Sequence, residues 1–162
     1  MILIALGANL PSPAGSPAAS LREALRLMPE RGVTMRSVSG FYESRAWPDP
    51  RDPPFVNAVA RIETARSPAS LLAQLKEMEV SFGRASAEQN APRPLDLDIL
   101  DYEGIVQSGS PLLPHPRLHE RGFVLVPLRD VAPEWRHPVS GRDVNALIDA
   151  LPREARELTR LP

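Results

Sequence analysis

The 162-residue chain contains no cysteine, which removes disulfides, thiolate metal ligands and cysteine nucleophiles from consideration. It also has almost no net charge, −1 from 19 Lys+Arg against 20 Asp+Glu. No global field therefore draws it to nucleic acid or to an anionic membrane, and any affinity for phosphate has to be local. Lysine is nearly missing: Lys76 is the only one, and the other basic side chains are arginines. No apolar run approaches the roughly 20 residues needed to cross a bilayer. Residues 1–6 are apolar but short and lack a basic region, so they read as a strand and not as a signal peptide. What remains fits one domain over residues 1–162, large enough for a real core and expected in the cytoplasm.

Local patterning outlines an α+β chain. Residues 1–6 suit a central strand covered on both faces. Ser16 can cap and Pro17 can open a helix in which Leu21, Ala24, Leu25 and Met28 form an amphipathic stripe. Residues 33–42 read as a second strand. Residues 43–54 are proline-rich and too irregular for a hairpin turn, and loops of this length are commonly functional. Trp47 reads as a local anchor for that loop or as part of a lid. Residues 55–64 read as a third strand, with Val56, Ala58, Ala60 and Ile62 on its core face and Phe55 and Asn57 on the other. Ser67 and Pro68 open a second helix whose stripe is Leu71, Leu72, Leu75, Met78 and Phe82, closed by Gly83. Glu79 falls on or beside that stripe, where a carboxylate needs a partner such as a nearby arginine.

Residues 84–94 form a second loop leading into a strand that completes the order β-α-β-β-α-β. This is the ferredoxin-like core, an antiparallel sheet with both helices on one face. Residues 102–107 suggest an extra hairpin, and residues 123–131 a helix. Asp143 is the expected cap of a C-terminal helix carrying Val144, Leu147, Ile148 and Leu151.

The most informative stretch is residues 91–100. Leu95, Leu97 and Ile99 point to one face of a strand, and Asp96 and Asp98 to the other. Two aspartates are poor strand formers, and their presence needs a reason. Residues i and i+2 lie roughly 6.5 to 7 Å apart along a strand. A catalytic pair of divalent ions sits roughly 3.5 to 4 Å apart, so carboxylates at this spacing can converge on such a pair. Oxygen ligands of this kind suit magnesium better than zinc. Arg93 adds a cation beside them, where a polyphosphate bridging the ions would extend. The competing reading is a polar strand face with an Arg–Asp surface pair, since the D-x-D spacing alone is common.

The longer string Pro92-Arg93-Pro94-Leu95-Asp96-Leu97-Asp98-Ile99-Leu100 resembles the signature of the 6-hydroxymethyl-7,8-dihydropterin pyrophosphokinases of folate biosynthesis. Further motifs agree in order: Ala5-Leu6-Gly7-Ala8-Asn9-Leu10, Phe41-Tyr42, Phe55-Val56-Asn57-Ala58, Phe82-Gly83-Arg84, Pro114-His115-Pro116 and Arg121-Gly122-Phe123 through Leu128. The resemblance implies transfer of the terminal two phosphates of ATP onto the hydroxymethyl group of the dihydropterin, releasing AMP. It implies Asp96 and Asp98 as ligands of two Mg²⁺ ions, with Asp96 also assisting deprotonation of the hydroxyl. Arg84 and Arg93 would stabilise the moving phosphates. His115, Arg121, Arg93 and Glu79 would hold the nucleotide. Phe55 and Phe123 would sandwich the pterin, with Asn57 and the backbone near Ser44 bonding its edge. The expected partners are these small molecules, with no nucleic acid or membrane and a monomeric chain.

Two rivals stand beside this reading: another Mg-dependent phosphotransferase on the same fold, and a non-catalytic ferredoxin-like ligand-binding module. The chain also departs from the family pattern. Asn90 stands where well-known bacterial members carry tryptophan, Ser86 and Ser110 where arginines are frequent, and Pro116 where tyrosine is frequent. His115 and His119 have the i, i+4 spacing of a zinc helix, but Pro116 replaces the glutamate of H-E-x-x-H, and His119 reads as structural.

Overall fold

A computed structural model describes residues 1–46, 48–83 and 92–162. The expected core is present as β1 (Ile2–Ala8), α1 (Pro17–Leu27), β2 (Thr34–Val38), β3 (Tyr42–Ser44), β4 (Phe55–Glu63), α2 (Pro68–Ser81) and β5 (Asp96–Tyr102). It is followed by α3 (Gly122–Val131), α4 (Val144–Asp149), α5 (Arg153–Arg156) and β6 (Thr159–Arg160). The three predicted helix starts are formed by the residues expected to form them. Ser16 Oγ accepts from the Ala19 N–H at 3.2 Å, Ser67 Oγ from Ser70 at 3.2 Å, and Asp143 Oδ1 from Ala146 at 2.8 Å.

The six strands form one antiparallel sheet, running β5-β1-β4-β3-β6, with β2 on β4 as well. Taken together, β2 and β3 occupy the position of a single ferredoxin-like edge strand. The single strand expected over residues 33–42 is broken because Ser39 Oγ takes the Val59 N–H at 2.9 Å, in place of a strand carbonyl. The next N–H, that of Gly40, turns to Asp130 Oδ2 at 3.0 Å on α3. At the other end, β1 runs through Gly7 and Ala8 because both find partners, Asn57 and Val56, on β4.

Alternation divides the buried side chains between two cores. On one face Ile4, Leu6, Leu97 and Ile99 meet Leu21 of α1 and Leu71, Leu75 and Met78 of α2. On the other, Leu3, Val59 and Leu100 meet Val124, Leu125 and Leu128 of α3, Leu147 of α4, and Trp135. A bulge in β5, where Leu3 pairs with Asp101 but Ile4 with Ile99, gives β5 one extra residue and turns Tyr102 back to the first core. Buried Asp101 accepts from Trp135 Nε1 at 2.7 Å and from the Gly104 N–H at 2.9 Å.

The hairpin expected at residues 102–107 takes the form of a tight turn with Glu103 and Gly104 at positive φ, 54° and 69°. An isolated Gln107–Leu113 bridge follows it, and no further pair of strands forms over these residues. The short α5 and β6 carry no amphipathic signal and were not foreseen. Among the described residues, no helix is long and apolar enough to cross a membrane.

Candidate active site

The second face of the sheet is covered only in part. Helices α3 and α4 close it over Leu3, Val59 and Leu100, and leave the ends of β4 and β5 nearest Gly7 bare. There the register sets one row across the strands: Asp96 opposite Gly7, Gly7 opposite Asn57, and Asn57 opposite Tyr42. A glycine in the middle of that row leaves a floor with no side chain on it. Above it lies a cleft of about 780 Å³. Nine of the eleven residues singled out from the sequence line it: Ser44, Phe55, Asn57, Arg93, Asp96, Asp98, His115, Arg121 and Phe123.

One end of the cleft is suited to a flat, hydrogen-bonding ring. Asn57 is buried and its orientation is set by its amide nitrogen, which donates to Ser44 Oγ at 2.8 Å and to the Tyr42 carbonyl at 3.3 Å. Its Oδ1 faces the space over Gly7, where a Cβ would lie 3.5 Å from it. The rings of Phe55 and Phe123 line the same space, and the Arg121 guanidinium stands 5.6 Å from the Phe123 centroid.

The other end is charged. Asp96 accepts from Arg93 Nη1 at 2.9 Å. Asp98 has the Lys76 ammonium at 3.7 Å from one oxygen and His115 Nε2 at 3.9 Å from the other. His115 Nδ1 accepts from the Arg117 N–H at 3.1 Å, which assigns the neutral ring's proton to Nε2, the side facing Asp98. Burial pulls the His115 imidazole below its ordinary range, against the pull of Asp98 in the other direction. Burial, reinforced by neighbouring Arg117, likewise lowers the Arg121 guanidinium, which keeps its charge.

Several residues that build this end escaped the sequence reading. Asn9, buried after β1, accepts from the Arg93 N–H at 2.7 Å and donates its own N–H to the Arg93 carbonyl at 3.0 Å. Its side-chain amide also donates to the Pro53 carbonyl at 3.1 Å. One residue thereby ties together the end of β1, the loop before β4 and the approach to β5. In the sequence Asn9 stands only as part of the Ala5–Leu10 motif, with no indication of its partners. Lys76, Arg45, Arg117 and Arg142 are further cations at the site: the last three line the cleft, and Lys76 reaches Asp98 from α2.

Two of the eleven stand differently. Glu79 is only 1% exposed and lies with Leu97 in the interior, not on the cleft wall. Among the described residues it accepts from the Leu97 N–H at 2.7 Å and from Lys76 at 3.0 Å. Burial raises its carboxyl above the ordinary range, offset in part by those two donors. Arg84 lies outside the described residues, as do Trp47, Ser86 and Asn90.

The donor set fits magnesium. Two carboxylates alternate on one strand and open to the cleft, with side chains 27% and 31% exposed. Two oxygen ligands of this kind suit a cation which keeps several waters and takes its remaining ligands from substrate phosphates.

Comparison with known proteins decides the family. The model of the family described as 7,8-dihydro-6-hydroxymethylpterin-pyrophosphokinase (HPPK) matches residues 3–133. This chain belongs to the HPPK family. The 2-amino-4-hydroxy-6-hydroxymethyldihydropteridine pyrophosphokinase of Pseudomonas aeruginosa is 38% identical over 162 residues, covering 99% of this chain and 96% of that one. The protein of the same name from Haemophilus influenzae is 40% identical over 138 residues, 85% of this chain and 84% of that one. The HPPK-like region also occurs within larger proteins. The chain is 41% identical over 131 residues to the mitochondrial folate synthesis bifunctional protein of Arabidopsis thaliana, 80% of this chain and 23% of that one. It spans about a fifth of the Pneumocystis carinii folic acid synthesis protein fol1, and 60% of the Synechocystis pyrophosphokinase.

Proposed function

We propose that this HPPK-family chain transfers the terminal two phosphates of ATP to the hydroxymethyl group of 6-hydroxymethyl-7,8-dihydropterin, releasing AMP. One observation carries the reading: a slot for a flat ring and two aspartates at alternate positions of β5 share one cleft, across the bare floor at Gly7. In the reaction the hydroxymethyl oxygen attacks the β-phosphorus of ATP. The bond from that phosphorus to the α–β bridging oxygen breaks, AMP leaves with that oxygen, and the hydroxyl gives up its proton.

The chain's own part is positioning and charge stabilisation. Phe55 and Phe123 stack on the pterin, and Asn57 Oδ1, with its amide engaged by Ser44, accepts from the ring's edge. Asp96 accepts the hydroxyl proton. Arg93, held by Asn9, exchanges its bond to Asp96 for the phosphate oxygens, and Arg84 assists it. His115 and Arg121 hold the nucleotide. Glu79 contributes through Lys76, the ammonium it shares with Asp98. Asp96 and Asp98 would hold Mg²⁺, two ions, which when bound neutralise the triphosphate and polarise its phosphoryl oxygens.

Chromatographic analysis of products from ATP, Mg²⁺ and the dihydropterin tests the proposal. AMP appearing only when the pterin is present is the expected result. ADP in its place would mean an ordinary kinase, and a bound pterin with no nucleotide product a binding module.

A further inference from the structure

The last eleven residues run from one wall of the ring slot to the other. They lie beyond the region matched by the family model, which ends at residue 133, and they follow α4 as Pro152, α5 and β6. Their first contact is with α3. The backbone of Ala155 sits so close to Gly122 that a Cβ on Gly122 would lie 1.7 Å from the Ala155 carbonyl oxygen and 2.7 Å from its carbon. Only a glycine permits that approach. Gly122 stands between Arg121 and Phe123, both of which line the cleft.

Their second contact is with β3. Arg160 pairs with Tyr42 and Thr159 with Glu43, and the Leu161 N–H donates to the Phe41 carbonyl at 2.8 Å. The Arg160 guanidinium lies 5.7 Å from the Tyr42 ring centroid. Beta-3 is only three residues long, and its last residue, Ser44, is the one that holds the Asn57 amide. The Tyr42 carbonyl is the other acceptor of that amide. Tyr42 also reaches back to α3 through its hydroxyl, which donates to Asp130 Oδ2 at 2.8 Å.

We infer that residues 152–161 are a positioning strap that sets the width of the ring slot, holding Phe123 on α3 at a fixed distance from the Ser44–Asn57 wall on β3 and β4. The strap touches no reacting atom. Its effect is on the ring-binding half of the site, because both of its attachments lie there and neither touches Asp96 or Asp98.

The inference rests on the pterin reading and is tested in the full-length chain with two single substitutions. Gly122→Ala forces the Ala155 backbone away from α3. Leu161→Pro deletes the N–H that bonds Phe41. Pterin affinity is read by fluorescence quenching, nucleotide affinity by titration with a non-hydrolysable ATP analogue and Mg²⁺, and folding by far-UV circular dichroism. The expected result for each folded variant is pterin binding weakened about three- to tenfold, the worth of a misplaced ring contact. For Leu161→Pro, whose lost bond lies beside β3 and away from Arg121, nucleotide binding is expected to change less than about twofold, and this variant supplies the test if Gly122→Ala does not fold. Unchanged pterin affinity in a folded variant, or equal loss of both ligands in Leu161→Pro, overturns the strap. Absence of pterin binding in the unsubstituted protein overturns the pterin reading itself, and the strap with it.

Discussion

Asp96 and Asn57 face each other across a single glycine, each paired in register with Gly7 on the strand between them. Strand spacing puts their backbones roughly 9.5 Å apart, with no side chain in the gap. The ring-binding and phosphate-handling halves of the site are thus joined by a register, and the joint is testable.

A Cβ at Gly7 meets Asn57 Oδ1 at 3.5 Å and Phe55 at 3.9 Å, so a small side chain is sterically admissible and occupies the floor. Gly7→Val is expected to leave the strand intact, since valine favours strands. Overfilling a fitted space costs about 1–3 kcal/mol, and pterin affinity should drop about tenfold or more. Retained affinity in a fluorescence titration would show that the ring does not lie over Gly7.

Asp96→Ala removes one of the two β5 carboxylates that line the cleft, from a part-exposed position outside both cores. Turnover is expected to vanish while the thermal midpoint holds. Calorimetric titration should show weaker Mg²⁺ uptake in the presence of an ATP analogue. Measurable AMP formation by this variant would remove Asp96 from the metal site and from proton transfer.

Arg93→Ala deletes the guanidinium but leaves the backbone bonds to Asn9, so the loop before β5 keeps its place. The expected loss is in kcat, about a hundredfold for a charge-stabilising donor, with pterin Kd little changed. A rise in KM alone would reassign Arg93 to binding.

Glu79 supplies the pH prediction. Its carboxyl is raised in the folded chain, chiefly by burial. A carboxyl raised in this way holds its proton more tightly folded than unfolded. The associated stability is full below the unfolded value of about 4.3 and is lost as pH rises through the folded one. Glu79→Gln keeps an acceptor for the Leu97 N–H and abolishes the titration. Denaturation midpoints measured from about pH 4 upward are expected to fall for the unsubstituted chain relative to Glu79→Gln. Parallel curves would mean that Glu79 does not carry the dependence.

Asp101→Ala separates fold from site. Asp101 is 4% exposed, holds the Trp135 indole and the Gly104 N–H, and does not line the cleft. Leaving those donors unpaired costs about 1–3 kcal/mol, or about 2–4 °C in Tm for each kcal/mol at this chain length. Scanning calorimetry should show that loss, with kcat and KM unchanged at temperatures where the variant is folded. A selective fall in kcat would give Asp101 a part in the site.

The sequence by itself determined what short-range periodicity can encode. Alternation in β5 decided that Leu97 and Ile99 go inward and Asp96 and Asp98 outward, because adjacent strand residues point to opposite faces. Ser16, Ser67 and Asp143 announced their helices because a cap bonds only three residues ahead. Only the tertiary structure decided which residues meet. The break between β2 and β3 depends on Asp130, 90 residues beyond Gly40. Glu79 on α2 accepts from the Leu97 N–H of β5, 18 residues away. Asn9 reaches Arg93 across 84 residues, and the C-terminal strap lies on Gly122 and β3. Contacts of this kind leave no periodic trace: each is a single bond between distant segments, made possible when the two cores bring those segments together.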